Sequence, residues 1–479
     1  MTHHDDDSRT GNRMAIPNAV EQVYSSLLDE VAPSANPLAR PVSINPDNVR
    51  PEQRIRSQVL HDALGRIQVL MPVNALLDLE DLNQQLGRDL RAVSVSETEV
   101  LTSRFGWSSI PAIPAITRMP CVVEKSLMSQ DQVVIDGEHD DSCIALDRSL
   151  FASMHKKSRV LSFGQPIESL RVNRNAPEKD VEQIVKAIQS LTSLRIEKRL
   201  QDTLELPPLP QTAQRIIQLR VDPNAGVNDL SDIVETDPAL AAQVVSWARS
   251  SFYAAPGKIS SVHDAIMRVL GYDLVMNLSI GLSLGSMLRV PRNVPEGFTP
   301  YWEQAVWTAT LSGALADAIP RKARPDRGLC YLAGLLHNLG YLVLAHVFPP
   351  HFEQVNRICE ANAHLDSELC EQHVLGVNRE QIGSRLMYIW NMPDELVDAL
   401  RQQKNVRPED SPSQIAKVLF LATQLLRRQG IGQGPVVEIP DELFASLDLS
   451  RETADTVAET LFDMSDEIQS LASQLAPDV

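Results

Sequence analysis

Residues 329–348 read LCYLAGLLHNLGYLVLAHVF, and this stretch decides the fold of the larger part of the chain. It is apolar on nearly every side apart from the doublet His337–Asn338, which predicts a helix buried in an all-helical core. A histidine in such a place is usually a neutral side chain held by one hydrogen bond, because buried polar groups are normally satisfied. The alternative interpretation is that His337 binds a ligand. In both cases Asn338 is the polar residue nearest to it in the sequence.

The overall composition is that of a multidomain globular protein. The chain has 479 residues, of which 43% are apolar and 22% charged, so we expect two to four domains with sizeable cores. The net charge is −18. Broad contact with nucleic-acid phosphates needs an excess of Lys and Arg, and this balance argues against it.

Cysteine usage and the amino terminus predict a cytoplasmic protein. The five cysteines are few, odd in number and not closely paired, which argues against a disulfide framework or a zinc ribbon. The first residues are polar and acidic without the apolar core of a signal peptide. No stretch approaches the ~18 uninterrupted apolar residues of a membrane-spanning helix, so we expect no membrane association. Separately, we expect no cofactor.

The pattern along the chain divides it into segments. We predict a disordered or Pro-rich segment at 1–48, a mixed α/β domain at 50–168, a connecting helix at 174–202, an all-helical domain at 203–405 and a helical extension at 406–479. The helical domain has strong start signals, among them Asp237 followed by Pro238.

Short apolar runs separated by turns characterise the α/β domain. VLHDALGRIQVLMPV predicts two strands around a turn at Gly65. LDLEDLNQQLG predicts a helix that is capped by Asp78 and ends at Gly87. RAVSVS, at 91–96, predicts a further strand.

Five segments of the helical domain resemble the HDOD domain, an all-helical relative of the HD phosphohydrolases in bacterial signalling proteins. They are LPPLPQTAQRIIQL, VETDPALAAQVVSWARSSFY, ISSVHDAIMRVLGYDLVMNL, LCYLAGLLHNLGYLVL and EQHVLGVNREQIGSRLMYIWNMPDELVDAL. The resemblance implies a fold that surrounds a metal site in the catalytic relatives, where a His–Asp doublet binds the ion.

The departures from that resemblance lie where the metal would bind. The superfamily's first histidine falls at Gln304, its aspartate at Asn338, a later histidine at Arg379 and a closing histidine pair at Gln403–Lys404, and only His337 keeps its identity. Amide oxygens are neutral, poor ligands for a transition metal, and an arginine places a cation where a cation should bind. We therefore expect no metal, and we take His337, Asn338, Gln304, Arg379 and Gln403 as candidates for lining a vestigial ligand pocket.

Residues 52–160 resemble the YbaK-type aminoacyl-tRNA deacylase domain. The resemblance lies in VLHDALGRIQVLMPVNALLDLEDLNQQLG, IPAIPAI, CVVEKSL and VVIDGEHDDSCIALDRSLF. The lysine that positions the aminoacyl ester in that family falls at Arg56, which is larger and planar. The substrate loop, Trp107–Ile116, has Pro111 and Pro114 where the family has glycines. These departures argue against activity.

The sequence therefore predicts a regulatory, signal-transducing protein that works by protein or nucleotide binding through a metal-less HDOD domain. Its deacylase-like domain would be an inactive sensor, and its partners would be signalling proteins or a nucleotide ligand. One alternative is a trans-editing deacylase that hydrolyses mischarged tRNA, with Arg56 at its active site and the HDOD domain as a docking platform. A second is a residual phosphodiesterase. The oligomeric state, the ligand and the signal stay open.

Overall fold

The structure is a computed structural model that divides into two compact units. The first comprises Met1–Leu170, Pro295–Gly297 and Asn356–Ala363, and the second comprises Arg171–Val294, Phe298–Val355 and His364–Val479. The first contains strands and helices and the second is helical, so the predicted fold class, a mixed α/β domain followed by an all-α domain, is confirmed. The described residues are 16–30, 39–44, 49–138, 143–191, 209–253, 257–285, 288, 290–291, 294–295, 298–405, 407 and 412–475.

The first unit alternates short strands with short helices. Its elements in chain order are α1 (Asn18–Glu30), β1 (Val42–Ile44), β2 (Ile55–Asp62), β3 (Gly65–Pro72), β4 (Ala75–Leu77), α2 (Leu79–Leu86), β5 (Arg91–Ala92), α3 (Val95–Phe105), α4 (Pro114–Thr117), β6 (Cys121–Glu124), β7 (Gln132–Asp136), β8 (Cys143–Asp147), α5 (Arg148–Met154), β9 (Arg159–Leu161) and β10 (Gly164–Pro166).

Three sheets organise these strands. The largest has the order β5-β2-β3-β6-β9, with an antiparallel hairpin at β2–β3 and parallel pairing from β3 to β6 and from β6 to β9. The order β1-β8-β7 forms an antiparallel sheet, and β10 pairs with β4. The hairpin turns at Ala63–Leu64, next to the predicted Gly65, whose φ of 117° is in the region that favours glycine.

Local sequence signals fix some of these elements and mislead at others. Asp78 caps α2, since its side chain accepts from Asp81 N, and Gly87 ends the helix in the left-handed conformation with a φ of 65°; both predictions are confirmed. The strand predicted at 91–96 is confirmed only in its first two residues. Only Arg91–Ala92 pairs, because Ser94 accepts a hydrogen bond from Glu97 N and thereby starts α3.

The described part of the segment 1–48, which was predicted as disordered or Pro-rich, contains a helix and a strand, and residues 1–15, 31–38 and 45–48 lie outside the described residues. The helix α1 packs the apolar side chains of Val20, Val23 and Tyr24 against the core of the first unit. Strand β1 pairs with β8, with Val42 opposite Ala145. Packing of an amphipathic face against a core supplies most of the stability of a short helix such as α1.

The second unit consists of helices, one of which continues into the first unit at Asn356–Ala363. They are α6 (Asp180–Leu191), α7 (Gln211–Arg220), α8 (Val227–Glu235), α9 (Pro238–Ala248), α10 (Val262–Ala265), α11 (Tyr272–Gly285), α12 (Tyr301–Ala318), α13 (Arg327–Leu336), α14 (Leu339–Val347), α15 (Pro349–Ala361), α16 (Ser367–Leu375), α17 (Arg379–Ile389), α18 (Asp394–Gln402), α19 (Gln414–Arg428), α20 (Asp441–Ser446), α21 (Arg451–Phe462) and α22 (Ser465–Ser473). Of the predicted connecting helix at 174–202, α6 covers the middle, and 192–202 lie outside the described residues. Asp237 caps α9 as predicted.

The stretch quoted first forms two consecutive helices, where the sequence predicted one. Helix α13 ends at Leu336 and α14 begins at Leu339, with His337 and Asn338 in the turn between them. The segment Arg327–Val347 is long and apolar enough to cross a membrane by length and composition, but its apolar part is 94% buried within the protein. The core helix of a soluble protein can have the same length and composition, so these two properties are weak evidence for a membrane span.

Candidate functional site

Close helix packing holds the His337–Asn338 turn in place. A Cβ on Gly334, in α13, would lie 2.5 Å from the Cα of Ala309, so only glycine allows α12 to approach this closely. A Cβ on Gly340, in α14, would lie 2.0 Å from the carbonyl oxygen of Arg379, the first residue of α17. The doublet is therefore fixed between α12 on one side and α17 on the other.

His337 is buried and neutral. Its Nδ1 lies 2.7 Å from the carbonyl oxygen of Gly334, and its own carbonyl accepts a hydrogen bond of 3.0 Å from Nε2 of Gln403. Burial lowers the pKa of His337 to about 4, and the guanidinium groups of Arg379 and Arg427 act in the same direction. Nε2 has no hydrogen-bond partner among the described residues.

Asn338 joins two of the other candidate residues. Its Nδ2 donates to Oε1 of Gln304 at 3.2 Å, and its Oδ1 accepts from Nη1 of Arg379 at 2.8 Å. The partner of Asn338 is thus not His337 but the two residues that stand at histidine positions of the HD superfamily by resemblance. Both the nitrogen and the oxygen of the Asn338 amide therefore have partners, and these partners fix the orientation of the amide.

Arg379 is a buried cation with several partners. Its backbone N donates to Oε2 of Glu371 at 2.9 Å, and its Nε donates to the other oxygen of that carboxylate. Nη1 also donates to Oε1 of Gln433 at 2.9 Å. The guanidinium carbon lies 4.8 Å from the ring centroid of Tyr341. A charge held this way is fully compensated.

A second group of charges lies around Lys404. Its Nζ lies 2.6 Å from Oδ1 of Asp366 and 2.8 Å from Oε1 of Glu380. Burial opposes the charge on Lys404, but these carboxylates outweigh it and raise the pKa of the amine above its ordinary value. Arg427 lies 3.5 Å from the other oxygen of Asp366, and Arg174 pairs with Glu368.

Most of these side chains, but neither Glu371 nor Tyr341, line one cavity of about 320 Å³. All five residues predicted to line a pocket are in its wall: Gln304, His337, Asn338, Arg379 and Gln403. The rest of the wall includes α19 and the chain that follows it, through Gln424, Arg427, Gln433 and Val437. Among the described residues, no group of three or more His, Cys, Asp or Glu side chains is arranged to hold a metal ion.

Several lining residues were missed by the sequence analysis. Among them, Asp366, Glu380, Lys404 and Arg427 carry charges in the cavity wall. Charged residues are usually on the surface, so their burial could not be read from the sequence. The one available signal was the position of Lys404 directly after Gln403, in the place of the closing histidine pair.

The deacylase candidate Arg56 is in the first unit, whereas the residues that line the cavity belong to the second. It is half-buried within β2, where it stands opposite Met71 in β3. Burial lowers the pKa of Arg56 to about 10, which still leaves it charged at neutral pH. Its Nε has no hydrogen-bond partner in the part of the chain that the structure describes.

The loop that resembles the deacylase substrate loop is packed into the interior. Gln68 is 0% exposed and its Nε2 donates to Pro111 O at 2.6 Å, while Oε1 accepts from Oγ1 of Thr117 at 2.7 Å. Ile113, between these two anchors, is fully buried. Glu124, the residue in the family's aspartate place, accepts from the backbone N of Phe163 and of Gly164 at 2.6 Å each.

The sequence and the structure are similar to those of several known proteins. The HDOD domain family matches residues 206–406. A solved structure from Marinobacter aquaeolei VT8, a candidate signal transduction protein, is 41% identical, with a TM-score of 0.87 over 97% of this chain and 100% of that one. An uncharacterised protein of Treponema pallidum (strain Nichols) is 26% identical over 272 residues, 56% of this chain. The chain spans about half the length of this curated relative, since the match covers 50% of it.

The Marinobacter structure covers 97% of this chain and therefore includes the first unit. A further likeness of the first unit is much weaker. A solved candidate trans-editing enzyme for prolyl tRNA synthetase aligns over 32% of this chain and 99% of its own, at 16% identity and a TM-score of 0.26. A likeness at this level carries no argument about activity. The deacylase character of the first unit therefore rests on its resemblance in sequence.

Proposed function

This chain belongs to the HDOD-domain proteins, and from that premise we propose that it is a regulatory protein whose helical unit binds a ligand and does not hydrolyse one. The observation that carries the proposal is the hydrogen bond from Arg379 to Asn338. A guanidinium beside the doublet supplies the positive charge that a metal would supply in a catalytic relative, and it is tied to Glu371. Such an arrangement favours recognition over metal-assisted hydrolysis.

Two observations support a regulatory role. The first is the match to the HDOD domain, together with a 41% identical relative that is described as a candidate signal transduction protein. The second is that the cavity offers a small molecule a concave space in which fixed polar groups converge, the usual form of a binding site. We propose that the protein acts in the cytoplasm, that a small ligand occupies this cavity, and that a signalling protein reads the outcome.

Three measurements on the full-length protein test this function. Elemental analysis of protein purified without chelators should find no stoichiometric manganese, iron or zinc. Hydrolysis of cyclic and linear nucleotides should stay at background with each of those metals added. Thermal unfolding against a panel of nucleotides, nucleosides and amino acids should show a stabilising shift with at least one of them.

The outcomes separate clearly. Stoichiometric metal together with metal-dependent turnover would overturn the proposal and favour the residual phosphodiesterase. A shift with one ligand that disappears in Arg379→Lys, and persists in Arg428→Lys, would support the cavity as the binding site. Arg428 is the matched control because it is an exposed arginine of α19 that does not line the cavity.

No observation favours the deacylase alternative, and the packing of the 110–116 loop argues against it. A substrate loop must let an aminoacyl group approach its backbone, whereas Gln68 anchors this loop in the interior through Pro111 and Thr117. We expect no release of amino acids from a panel of mischarged tRNAs. Turnover that is abolished by Arg56→Ala would reinstate the alternative.

A further inference from the structure

Two side chains of the cavity wall carry a lone pair that nothing in the described protein uses. Nε2 of His337 and Oε2 of Glu380 are buried, and neither atom has a hydrogen-bond partner among the described residues. The two residues are 8% and 5% exposed, and both line the cavity. An unmet buried polar atom is costly, so a ligand that satisfies both atoms is stabilised there.

Both atoms are acceptors, which fixes what the ligand must offer. Because Nδ1 of His337 lies 2.7 Å from a carbonyl oxygen, it carries the proton and Nε2 carries the lone pair. The Glu380 carboxylate is ion-paired with Lys404 through its other oxygen, at 2.8 Å. A carboxylate in an ion pair only accepts hydrogen bonds. The ligand must therefore donate two hydrogen bonds.

The charges of the wall argue against a strongly anionic ligand inside the cavity. Four of its cations already have carboxylate partners: Arg379 with Glu371, Lys404 with Asp366 and Glu380, Arg427 with Asp366, and Arg174 with Glu368. A site for a phosphate group needs cations that are available to the phosphate. Arg407, the fifth lining cation, is exposed, so it suits a group at the rim.

A cationic donor is disfavoured as well. Burial and the guanidinium groups of Arg379 and Arg427 oppose a positive charge on His337, and Glu380 offsets them only in part, since the pKa of His337 is lowered to about 4. A ligand ammonium at Nε2 of His337 would meet the same repulsion. The donor that fits is neutral.

We propose that the cavity binds the base of a guanine nucleoside, whose ring N–H and adjacent amino group donate to Glu380 and His337. Among the common bases, guanine alone has a ring N–H next to an amino group on one edge. Adenine and cytosine carry an amino group without the ring N–H, and uracil carries the ring N–H without the amino group. A volume of about 320 Å³ is at the small end of ligand cavities and suits a single nucleoside.

This inference rests on the proposed function, and calorimetry with the full-length protein tests it separately. The probes are guanosine, inosine, 1-methylguanosine and adenosine. Inosine lacks the amino group and 1-methylguanosine lacks the ring N–H. We expect guanosine to bind, and each of the other three to bind at least about tenfold more weakly, since each leaves a buried acceptor unmet. Guanosine monophosphate should bind within about tenfold of guanosine.

Two variants and a matched control locate the binding. Glu380→Gln replaces one carboxylate oxygen with an amide nitrogen, and His337→Gln removes the imidazole; each should weaken guanosine binding at least about tenfold. Glu395→Gln makes the same change at an exposed glutamate of α18 and should leave affinity unchanged. Thermal unfolding shows whether each variant folds. If His337→Gln does not fold, the inference is tested by Glu380→Gln and by the comparison of the four nucleosides with the wild-type protein.

The results that overturn the inference differ from those that overturn the proposed function. Equal affinity for guanosine and inosine, or binding that follows the phosphates and not the base, would overturn the guanine assignment and leave a ligand-binding regulator. No heat with any nucleoside would also overturn it. The metal content, the hydrolysis assay and the ligand panel would then decide the proposed function on their own.

Discussion

Nη1 of Arg379 lies 2.8 Å from Oδ1 of Asn338, so a covalently tethered positive charge stands beside the doublet at the centre of the helical unit. The charge is balanced within the protein by Glu371. A metal ion can leave such a place, but a side chain cannot. The state of this site should therefore not depend on metal supply or on chelators.

Restoring the aspartate should not restore a metal. In Asn338→Asp a carboxylate would face Arg379 and pair with it, while the hydrogen bond to Gln304 is lost because two oxygens would then meet. Gln304, Arg379 and Gln403 still provide no imidazole or carboxylate. We expect manganese, iron and zinc far below one per chain by elemental analysis of the variant. Stoichiometric metal would contradict the assignment of Arg379 as the residue that excludes the ion.

Removing the buried arginine should destabilise the helical unit strongly. In Arg379→Met, Glu371 keeps a buried charge without its partner, and Asn338 and Gln433 each lose a hydrogen bond. We expect a loss of about 3–5 kcal/mol in the free energy of unfolding, measured in urea. The matched control Arg428→Met breaks an exposed pair with Asp455 at 3.6 Å and should cost less than about 1 kcal/mol. Similar losses of unfolding free energy in both variants would contradict the conclusion that burial makes the Arg379 ion pair costly to break.

Stability should fall as the solution becomes moderately acidic. Burial lowers the pKa of His337 and of His155 to about 4, from the ordinary value of 6.5. Between these values the unfolded chain binds a proton that the folded chain refuses, so the free energy of unfolding decreases as the pH falls from about 6.5 to about 4. The full effect is on the order of 3 kcal/mol for each histidine. Urea unfolding across this range in His155→Gln should show a shallower dependence than in the wild type.

The same substitution at two helical glycines should have opposite effects. In Gly340→Ala the new Cβ would lie 2.0 Å from the carbonyl oxygen of Arg379, so α14 and α17 must separate at a cost of about 1–3 kcal/mol. In Gly313→Ala the Cβ would lie 3.6 Å from Tyr331, an ordinary contact. There we expect a gain of about 0.5–1 kcal/mol, since alanine favours a helix interior. Thermal unfolding of both variants checks the difference in sign.

The features of the fold that depend on neighbouring residues could be predicted from the sequence. Asp78, Gly87 and Asp237 are caps that act within one helical turn, so their effect is legible without knowledge of the fold. The five pocket candidates came from their places in the HDOD resemblance, and the structure brings them to one cavity. The buried charges of Glu371 and Glu380 could not be foreseen, because their burial depends on partners such as Arg379 and Lys404 supplied by the tertiary structure.

The wall of the cavity extends beyond the segment shared with the family. The HDOD match ends at residue 406, whereas twelve of the twenty-five lining residues come after it, among them Phe420, Arg427 and Gln433. A protein cut at the family boundary would keep the doublet and lose nearly half of its binding surface. Relatives that share the helices of the match can also differ in this added wall, so ligand preference can diverge between them while the common scaffold stays the same.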